Sequence, residues 1–437
     1  MRPGGRSLAA VLVPFGVSLC STAAPSEGGQ DPGTAGGGSR EELTLTIEET
    51  VAMGLRNNPR IGLLESEADL RTYRMRSLDW IDNPEIRVRN LAASRRRGRI
   101  DEYEIGIRWR PPAPGEARVR RQRRAVTMWE RRAEAIRERH WLASRVRRSC
   151  ADLTMYAELA RLAASRIEKE SRRISQIETM VDLGRRSIVY LTKARTAVAE
   201  ARQTHLRTLH ALREEERRLR RLTGVPARIQ LAAEPLPEIA GNEAELVALA
   251  YANRPELRLA EERQQLALDR HDFESRRLLP QLSFLEVSRH VEGAEDDWHE
   301  LAFGLELPLF NRNADNLAGL SLAVSESEVE AAAVRQRIAD EVCEGLSDYT
   351  EALLARNLTR REGEAVIQAA SLVVVQTYDH PTVPADEILE LERTIMDAQV
   401  AIAEGERDLS HALYFLYYDL GIDGPQSLPS QDKGHGG

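Results

Sequence analysis

A tandem repeat constrains the fold of this chain more than any other feature of its sequence. Residues 51–61 (VAMGLRNNPRI) return 196 positions later as residues 247–257 (VALAYANRPEL). Further landmarks recur at an offset of 196 or 197: Pro84 as Pro280, Pro111 as Pro308, and Gly224 as Gly421. Because the register is almost constant, we predict two copies of one structural unit, at residues 43–224 and 245–421.

Each copy contains short segments in which apolar residues alternate with charged residues and glycine, a pattern typical of strands with two different faces. The apolar members are Tyr103, Ile105, Ile107 and Trp109 in the first copy, and Leu301, Phe303, Leu305 and Leu307 in the second. We therefore predict β-hairpins at about residues 85–110 and 281–308. The two faces fit a barrel wall between lipid and water, and a soluble hairpin packed on a core is the alternative.

A long helical hairpin follows each β-hairpin, at about residues 115–224 and 312–421. The first leg is roughly 70 residues, or about 100 Å of helix, and helices of this length must pack side by side. The return leg to residue 223 and the helical stretch 245–279 together match that length. We therefore expect the stretch 245–279 to continue the first return leg, and residues 45–80 to continue the second.

The two ends and the joint between the copies have a different composition. Residues 1–23 have the short basic start and apolar run of a signal peptide. Cys20 is a candidate for lipidation, although a leucine precedes it instead of the usual small residue. Residues 24–42 are predicted to be a disordered linker. Residues 225–244 form a linker at mid-height of the helices, and residues 422–437 form a flexible tail.

Charge is distributed unevenly along the chain. The net charge is −8, yet residues 81–224 contain 36 Lys and Arg against 19 Asp and Glu. These arginines are interleaved with glutamates on predicted helices, which indicates a solvated face and no nucleic-acid partner. The sequence has no phosphate-binding glycine loop, nucleophile elbow or paired-histidine motif. We therefore expect no enzyme activity, no cofactor and no metal site.

Two runs of residues carry a family resemblance. They are residues 43–49 (LTLTIEE) with Asn57-Asn58-Pro59 and, where the second β-hairpin ends, residues 307–313 (LPLFNRN). With them the chain resembles the TolC-like outer-membrane efflux proteins, and the second run is similar to the heavy-metal-cation efflux branch.

That resemblance implies a mainly α fold with a small β part, located in the cell outer membrane with a large periplasmic portion. A homotrimer would form a 12-stranded barrel in the lipid and a long α-helical barrel in the periplasm. The chain would then be the channel component of a tripartite efflux or type I export system. Its partners would be a periplasmic adaptor protein and an inner-membrane pump.

The resemblance also implies that the turn of each helical hairpin, here called the tip, contacts the adaptor. The matching residues of the first tip are Gly184, Ser187, Tyr190, Leu191 and Ala194. Those of the second tip are Pro381, Pro384, Glu387 and Ile388. Tyr190 replaces the family's usual acidic residue, and the two prolines replace its glycine and hydroxyl residue.

The two tips carry opposite charge, which suggests a gate. Arg185 and Arg186 lie in the first tip, whereas Asp386, Glu387 and Glu390 lie in the second, with Glu392 beyond them. We hypothesise that ion pairs between neighbouring copies hold the tips shut. Solvated charges without this role are the alternative.

Two other classes of protein share part of this pattern. A periplasmic adaptor is also rich in helical hairpins, but it needs a separate β-rich domain around a single hairpin. A coiled-coil scaffold of an envelope complex needs no alternating β-hairpins. The hairpins at equivalent positions of both copies favour the channel.

Overall fold

The computed structural model describes most of the chain. The described residues are 42–76, 82–93, 100–184, 187–232, 234–239, 241–292, 296–308, 313–377 and 385–427. The expected signal peptide, Cys20, and the expected linker up to residue 41 lie outside the described residues, as does the end of the expected tail after residue 427.

The two halves of the chain contain the same order of elements: a short strand, two helices, a pair of strands and two further helices. The first half consists of β1 (Glu42–Leu45), α1 (Ile47–Asn57), α2 (Pro59–Arg76), β2 (Glu85–Ala93), β3 (Ile100–Trp109), α3 (Glu116–Asp182) and α4 (Ile188–Thr223). The second consists of β4 (Arg228–Leu231), α5 (Glu243–Asn253), α6 (Pro255–Arg276), β5 (Gln281–Glu292), β6 (Asp296–Glu306), α7 (Ala314–Thr377) and α8 (Ala385–Leu420), followed by a 3-10 turn at Pro425–Ser427.

The first helices of the two halves begin in the same way. Thr46 caps α1 and Asn242 caps α5, each in a capping box with the glutamate three residues later. Such a box satisfies two backbone N–H groups that a helix start leaves open. Pro59 and Pro255 then begin α2 and α6, because proline fits the first turn of a helix and disfavours helical backbone in the residue before it.

The long helices account for most of the structure. α3 has 67 residues and α7 has 64, which corresponds to about 100 Å and 95 Å. Side by side, the helices pack in the order α4, α3, α8, α7, with α2 and α6 against α3 and with α6 also against α7. No helix in the described part of the chain is long and apolar enough to cross a membrane.

The return helices are continued within their own halves, so the expected continuation across the halves is wrong. Asn57, between α1 and α2, donates Nδ2–H to the carbonyl of Thr223 at the end of α4 (3.0 Å). Likewise Arg254, between α5 and α6, donates Nε–H to the carbonyl of Asp419 near the end of α8 (2.8 Å). Helix lengths alone cannot show whether α2 or α6 continues a given return helix, because both have the length needed.

A two-stranded parallel sheet, absent from the sequence prediction, lies at the joint. β1 pairs with β4, from Glu42 opposite Arg228 to Leu45 opposite Leu231. Leu43, Leu45, Ile229 and Leu231 pack into a core with Val146 and Leu219 of the long helices. The linker after α4 therefore lies beside β1, at the start of the first half. This explains why α4 is continued by α2 of the same half.

Candidate functional site: the four-stranded sheet and the helical tips

The two β-hairpins form one sheet. Its order is β2-β3-β5-β6, and every neighbouring pair is antiparallel. The central pair joins the halves of the chain, with Ile107 opposite Val287 and Arg108 opposite Glu286. β2 and β6 are the edges of this sheet among the described strands.

One face of the sheet is apolar and exposed. Its side chains are between 37% and 75% exposed: Ile86, Val88, Ile105, Ile107, Trp109, Val287, Leu301, Phe303 and Leu305. This confirms the face predicted from alternation in β3 and β6. A contiguous apolar surface of this kind normally marks a contact with lipid or another protein.

The opposite face carries buried charges that connect neighbouring strands. Arg89 of β2 pairs with Glu104 of β3 at 3.4 Å. Arg108 of β3 donates Nε–H to Glu286 of β5 at 2.5 Å, and its guanidinium lies 4.1 Å from the centre of the Phe284 ring. Glu104 and Glu286 are both buried. The two buried carboxylates of this face are therefore each paired with an arginine of the neighbouring strand, as buried charges require.

A histidine on the charged face lies among polar groups without forming a catalytic relay. His290 Nε2 is 2.8 Å from Glu300 and 3.3 Å from the Ser288 hydroxyl, and the ring stacks on Trp298. A hydrolase triad needs the acid and the nucleophile on different ring nitrogens, whereas here both partners approach the same nitrogen. Among the described residues, no group of three or more His, Cys, Asp or Glu side chains is arranged to hold a metal ion.

The first tip is built around a glycine. Gly184 follows α3 with φ of +67°, a conformation that favours glycine. Ser187 caps α4 by accepting the N–H of Val189 at 3.3 Å. Tyr190 and Leu191 are half-buried.

The predicted contact residues of the first tip do not share one environment. Ala194 is buried in the contact between α4 and α3, whereas Ile188 and Val189 are exposed. The sequence prediction missed these two apolar side chains, which follow directly after Ser187. Arg185 and Arg186 lie outside the described residues.

The second tip is described only from Ala385 onward. Glu387 and Glu390 are exposed at the start of α8, and Ile388 is buried. Pro381 and Pro384 lie outside the described residues, and so does the side chain of Asp386.

An ion-pair cluster that the sequence prediction missed connects α3 with α8 near the tips. Arg173 donates two hydrogen bonds of 2.6 Å to Glu392, so this acidic residue is engaged within its own chain. Arg173 also lies 3.7 Å from Glu170, which is 1% exposed. Burial, and then the nearby Glu392 carboxylate, raises the pKa of Glu170 to about 7 despite the attraction of Arg173.

A second missed cluster joins the end of the chain to its first half. Arg147 of α3 is 1% exposed and bonds both oxygens of Glu48, at 3.0 and 2.7 Å. It also donates to the backbone carbonyl of Asp423. A hydrogen bond with His140 and the charge of Arg139 hold the pKa of the Asp423 carboxyl below its ordinary value. The sequence does not distinguish Arg147 from its neighbours Arg145 and Arg148.

Comparison by sequence found no matching family model and no matching curated protein. Comparison by structure found outer-membrane channels. One of them is CusC, whose structures concern conformational changes in folding and transmembrane channel formation. It is 16% identical to this chain with a TM-score of 0.69, and the match covers 86% of this chain and 92% of CusC. The open state of the MtrE channel of Neisseria gonorrhoeae is 16% identical with a TM-score of 0.68, covering 86% of this chain and 89% of MtrE. The outer-membrane protein VceC of Vibrio cholerae is 14% identical with a TM-score of 0.63, and the match covers 86% of this chain and 96% of VceC.

These similarities cover almost the whole of the known structures. They confirm the predicted resemblance at the level of the fold, mainly α with a small β part.

Proposed function

We propose that this chain, which has the fold of the TolC-like outer-membrane channels, is the outer-membrane channel of a tripartite efflux or type I export system. It would lie in the cell outer membrane with its long helices in the periplasm. Substrate would pass from a periplasmic adaptor and an inner-membrane pump through the channel to the exterior.

The observation that carries this proposal is the four-stranded sheet. Its exposed face bears Ile105, Ile107 and Phe303, while its other face bears paired charges such as Arg108 and Glu286. Lipid requires the first kind of face and a water-filled channel the second. The open edges β2 and β6 cannot remain unpaired in lipid, because no water satisfies their backbone groups there.

The strand count supports a trimer. β2 and β6 run in opposite directions, so β6 of one copy can pair with β2 of the next in an antiparallel manner. Two copies would give eight strands, and an eight-stranded barrel is just filled by its own side chains. Three copies would give twelve strands and leave room for the charged face to line a channel.

The tips are the proposed contact with the adaptor. The exposed residues available for this contact include Ser187, Ile188 and Val189 in the first tip and Glu387 in the second. We retain the proposal that Arg185 and Arg186 pair with Asp386, Glu387 and Glu390 of a neighbouring copy to hold the channel shut. Lipidation of Cys20 would add an anchor in the outer membrane.

The experiment is to express the chain with its own N-terminus in a Gram-negative host and extract the outer-membrane fraction. We expect a heat-labile trimer, mixed α and β circular dichroism, and step-like conductance in planar lipid bilayers. Reversing the charge of both Arg185 and Arg186 by replacing them with glutamate is expected to raise the conductance. An unchanged conductance would contradict the proposed gate but not the proposed channel. A stable, water-soluble monomer would rule out the channel itself.

A further inference from the structure

The helices leave two edges that pack on nothing in the described part of one chain. In the order α4, α3, α8, α7, the outer members are α4 and α7. α4 turns Ala194, Val198 and Ala201 toward α3, where all three are buried. α7 turns Ile338 and Val342 toward the core that it shares with α8. The opposite side of each helix is exposed.

The exposed stripe of α4 carries a leucine at one level and basic residues above it, with the exposed Glu214 beside them. Its members follow steps of four, three, four and four residues: Leu206, His210, Arg213, Arg217 and Arg221. These steps keep the five side chains on one side of the helix. Leu206 is 66% exposed. None of the three arginines makes an ion pair with another described residue.

The exposed stripe of α7 has the complementary character. Leu354 and Leu358 are 71% and 57% exposed. Glu344 and Glu351 are also exposed, and neither forms an ion pair with another described residue. One edge therefore offers leucine and arginine, and the other offers leucine and glutamate.

Side-chain contacts fix the heights of the four helices relative to one another. Ser149 to Glu215 at 3.1 Å joins α3 and α4, Asp152 to His411 at 3.0 Å joins α3 and α8, and Arg356 to Glu406 at 2.8 Å joins α8 and α7. These contacts place Glu215 of α4 level with about residue 348 of α7.

The complementary groups lie at matching heights. Because α4 and α7 run in opposite directions, Arg213 is level with Glu351, to within about one helical turn. On the same count Leu206 is level with Leu358. Rotation of one copy about an axis parallel to the helices leaves every height unchanged. The α4 edge of one copy therefore meets the α7 edge of the next with leucine facing leucine and arginine facing glutamate.

We propose that the exposed stripe of α4 binds the exposed stripe of α7 of a second copy, through the Leu206–Leu358 contact and the pairing of Arg213 and Arg217 with Glu351 and Glu344. The inference rests on the proposed channel and names the surface that closes its helical part. It also gives a role to the unequal distribution of charge between the halves. The two edges differ, so the contact is head-to-tail, and it closes into a ring when the rotation between three copies completes a full turn.

A disulfide tests the position of this contact. Leu206→Cys and Leu358→Cys are combined in a chain that also carries Cys20→Ser and Cys343→Ser, so that the only other cysteine is Cys150, which is buried. Mild oxidation is expected to link copies into covalent dimers and trimers. The matched control combines Leu206→Cys with Val329→Cys, since Val329 is 69% exposed on α7 but lies roughly 44 Å from Leu358 along the helix.

Two results would overturn the proposal. One is an oligomer in which the pair at 206 and 358 forms no link. The other is equally efficient linking by the control pair. If the native protein conducts in bilayers while either result is obtained, the proposed channel stands and only this interface is wrong. If the native protein is a soluble monomer without conductance, the channel itself is wrong.

Charge reversal tests the chemistry of the contact. Arg213→Glu with Arg217→Glu places acid against acid, and Glu344→Arg with Glu351→Arg places base against base. Since exposed pairs are individually weak, we expect each double variant to lower the trimer fraction about threefold at low salt. The variant with all four changes should restore it. Failure of the restoration, with normal circular dichroism, would contradict the pairing.

Discussion

At the scale of single residues, the buried carboxyl group of Glu170 makes the contact between α3 and α8 sensitive to pH. Arg166, Lys169 and Arg173 are its charged neighbours on α3, and Glu392 faces it from α8. Its pKa of about 7 lies above the ordinary value of 4.5. Protonated Glu170 therefore favours the folded chain. This stabilisation is complete below about pH 4.5 and is lost as the pH rises through 7.

Replacing Glu170 with glutamine should remove most of this dependence. Between pH 5 and pH 8 we expect the native protein to lose on the order of 1–3 kcal/mol of stability that the Glu170→Gln variant keeps. Urea unfolding at the two pH values, followed by circular dichroism, measures the difference. Glu168→Gln is the control, because Glu168 is exposed on the same helix. An equal pH dependence in native protein and Glu170→Gln would refute this role.

At the scale of elements, β5 and β6 approach each other so closely that one position accepts only glycine. A Cβ atom at Gly304 would overlap the ring of Phe284 and the hydroxyl of Ser283, whereas a Cβ at Gly319 in α7 would meet nothing within 4 Å. The Phe284 ring cannot move freely, because the guanidinium of Arg108 stacks on it. Strand contact and ion pairing are therefore coupled in this part of the sheet.

The same substitution should consequently have opposite effects at the two glycines. Gly304→Ala overpacks the sheet and is expected to destabilise the protein by about 1–3 kcal/mol. Gly319→Ala lies in an exposed part of a helix and is expected to stabilise it by about 0.5–1 kcal/mol. Thermal unfolding of the detergent-solubilised protein, monitored by circular dichroism, compares them. A lower unfolding temperature for Gly319→Ala, or an unchanged one for Gly304→Ala, would contradict the packing argument.

The elements also show what could be predicted from the sequence. Alternation identified the apolar face of β3 and β6, because a strand reverses its side chains at every residue. β1 and β4 escaped prediction because four residues are too few for a periodic signal. Arginine spacing did not single out Arg147 or Arg173, since arginines occur all around α3 and only the packing of distant segments turns these two inward. Tip residues were predicted by resemblance, which could not distinguish buried Ala194 from exposed Val189.

At the scale of the whole molecule, the end of the second half is attached to the first half by Arg147. This side chain bonds Glu48, at the start of α1, and the carbonyl of Asp423, just after α8. Removing one partner from a buried charged cluster leaves the others without compensation. Without Arg147, no described side chain would bridge Glu48 near the beginning of the described chain and the carbonyl of Asp423 near its end.

Substitution of Arg147 should accordingly affect the whole molecule. We expect Arg147→Ala to lower the free energy of unfolding by about 2–5 kcal/mol and to make the chain after Leu420 accessible to carboxypeptidase. Arg145→Ala is the control: Arg145 stacks on the ring of Trp141 near the surface, so its loss should cost about 1 kcal/mol or less. Urea unfolding and timed digestion followed by mass spectrometry measure the two effects. Because Arg147 lies far from both the sheet and the tips, a variant that is digested faster but still conducts in bilayers would assign this residue to the joining of the two halves. Digestion no faster than that of Arg145→Ala would remove the basis for that assignment.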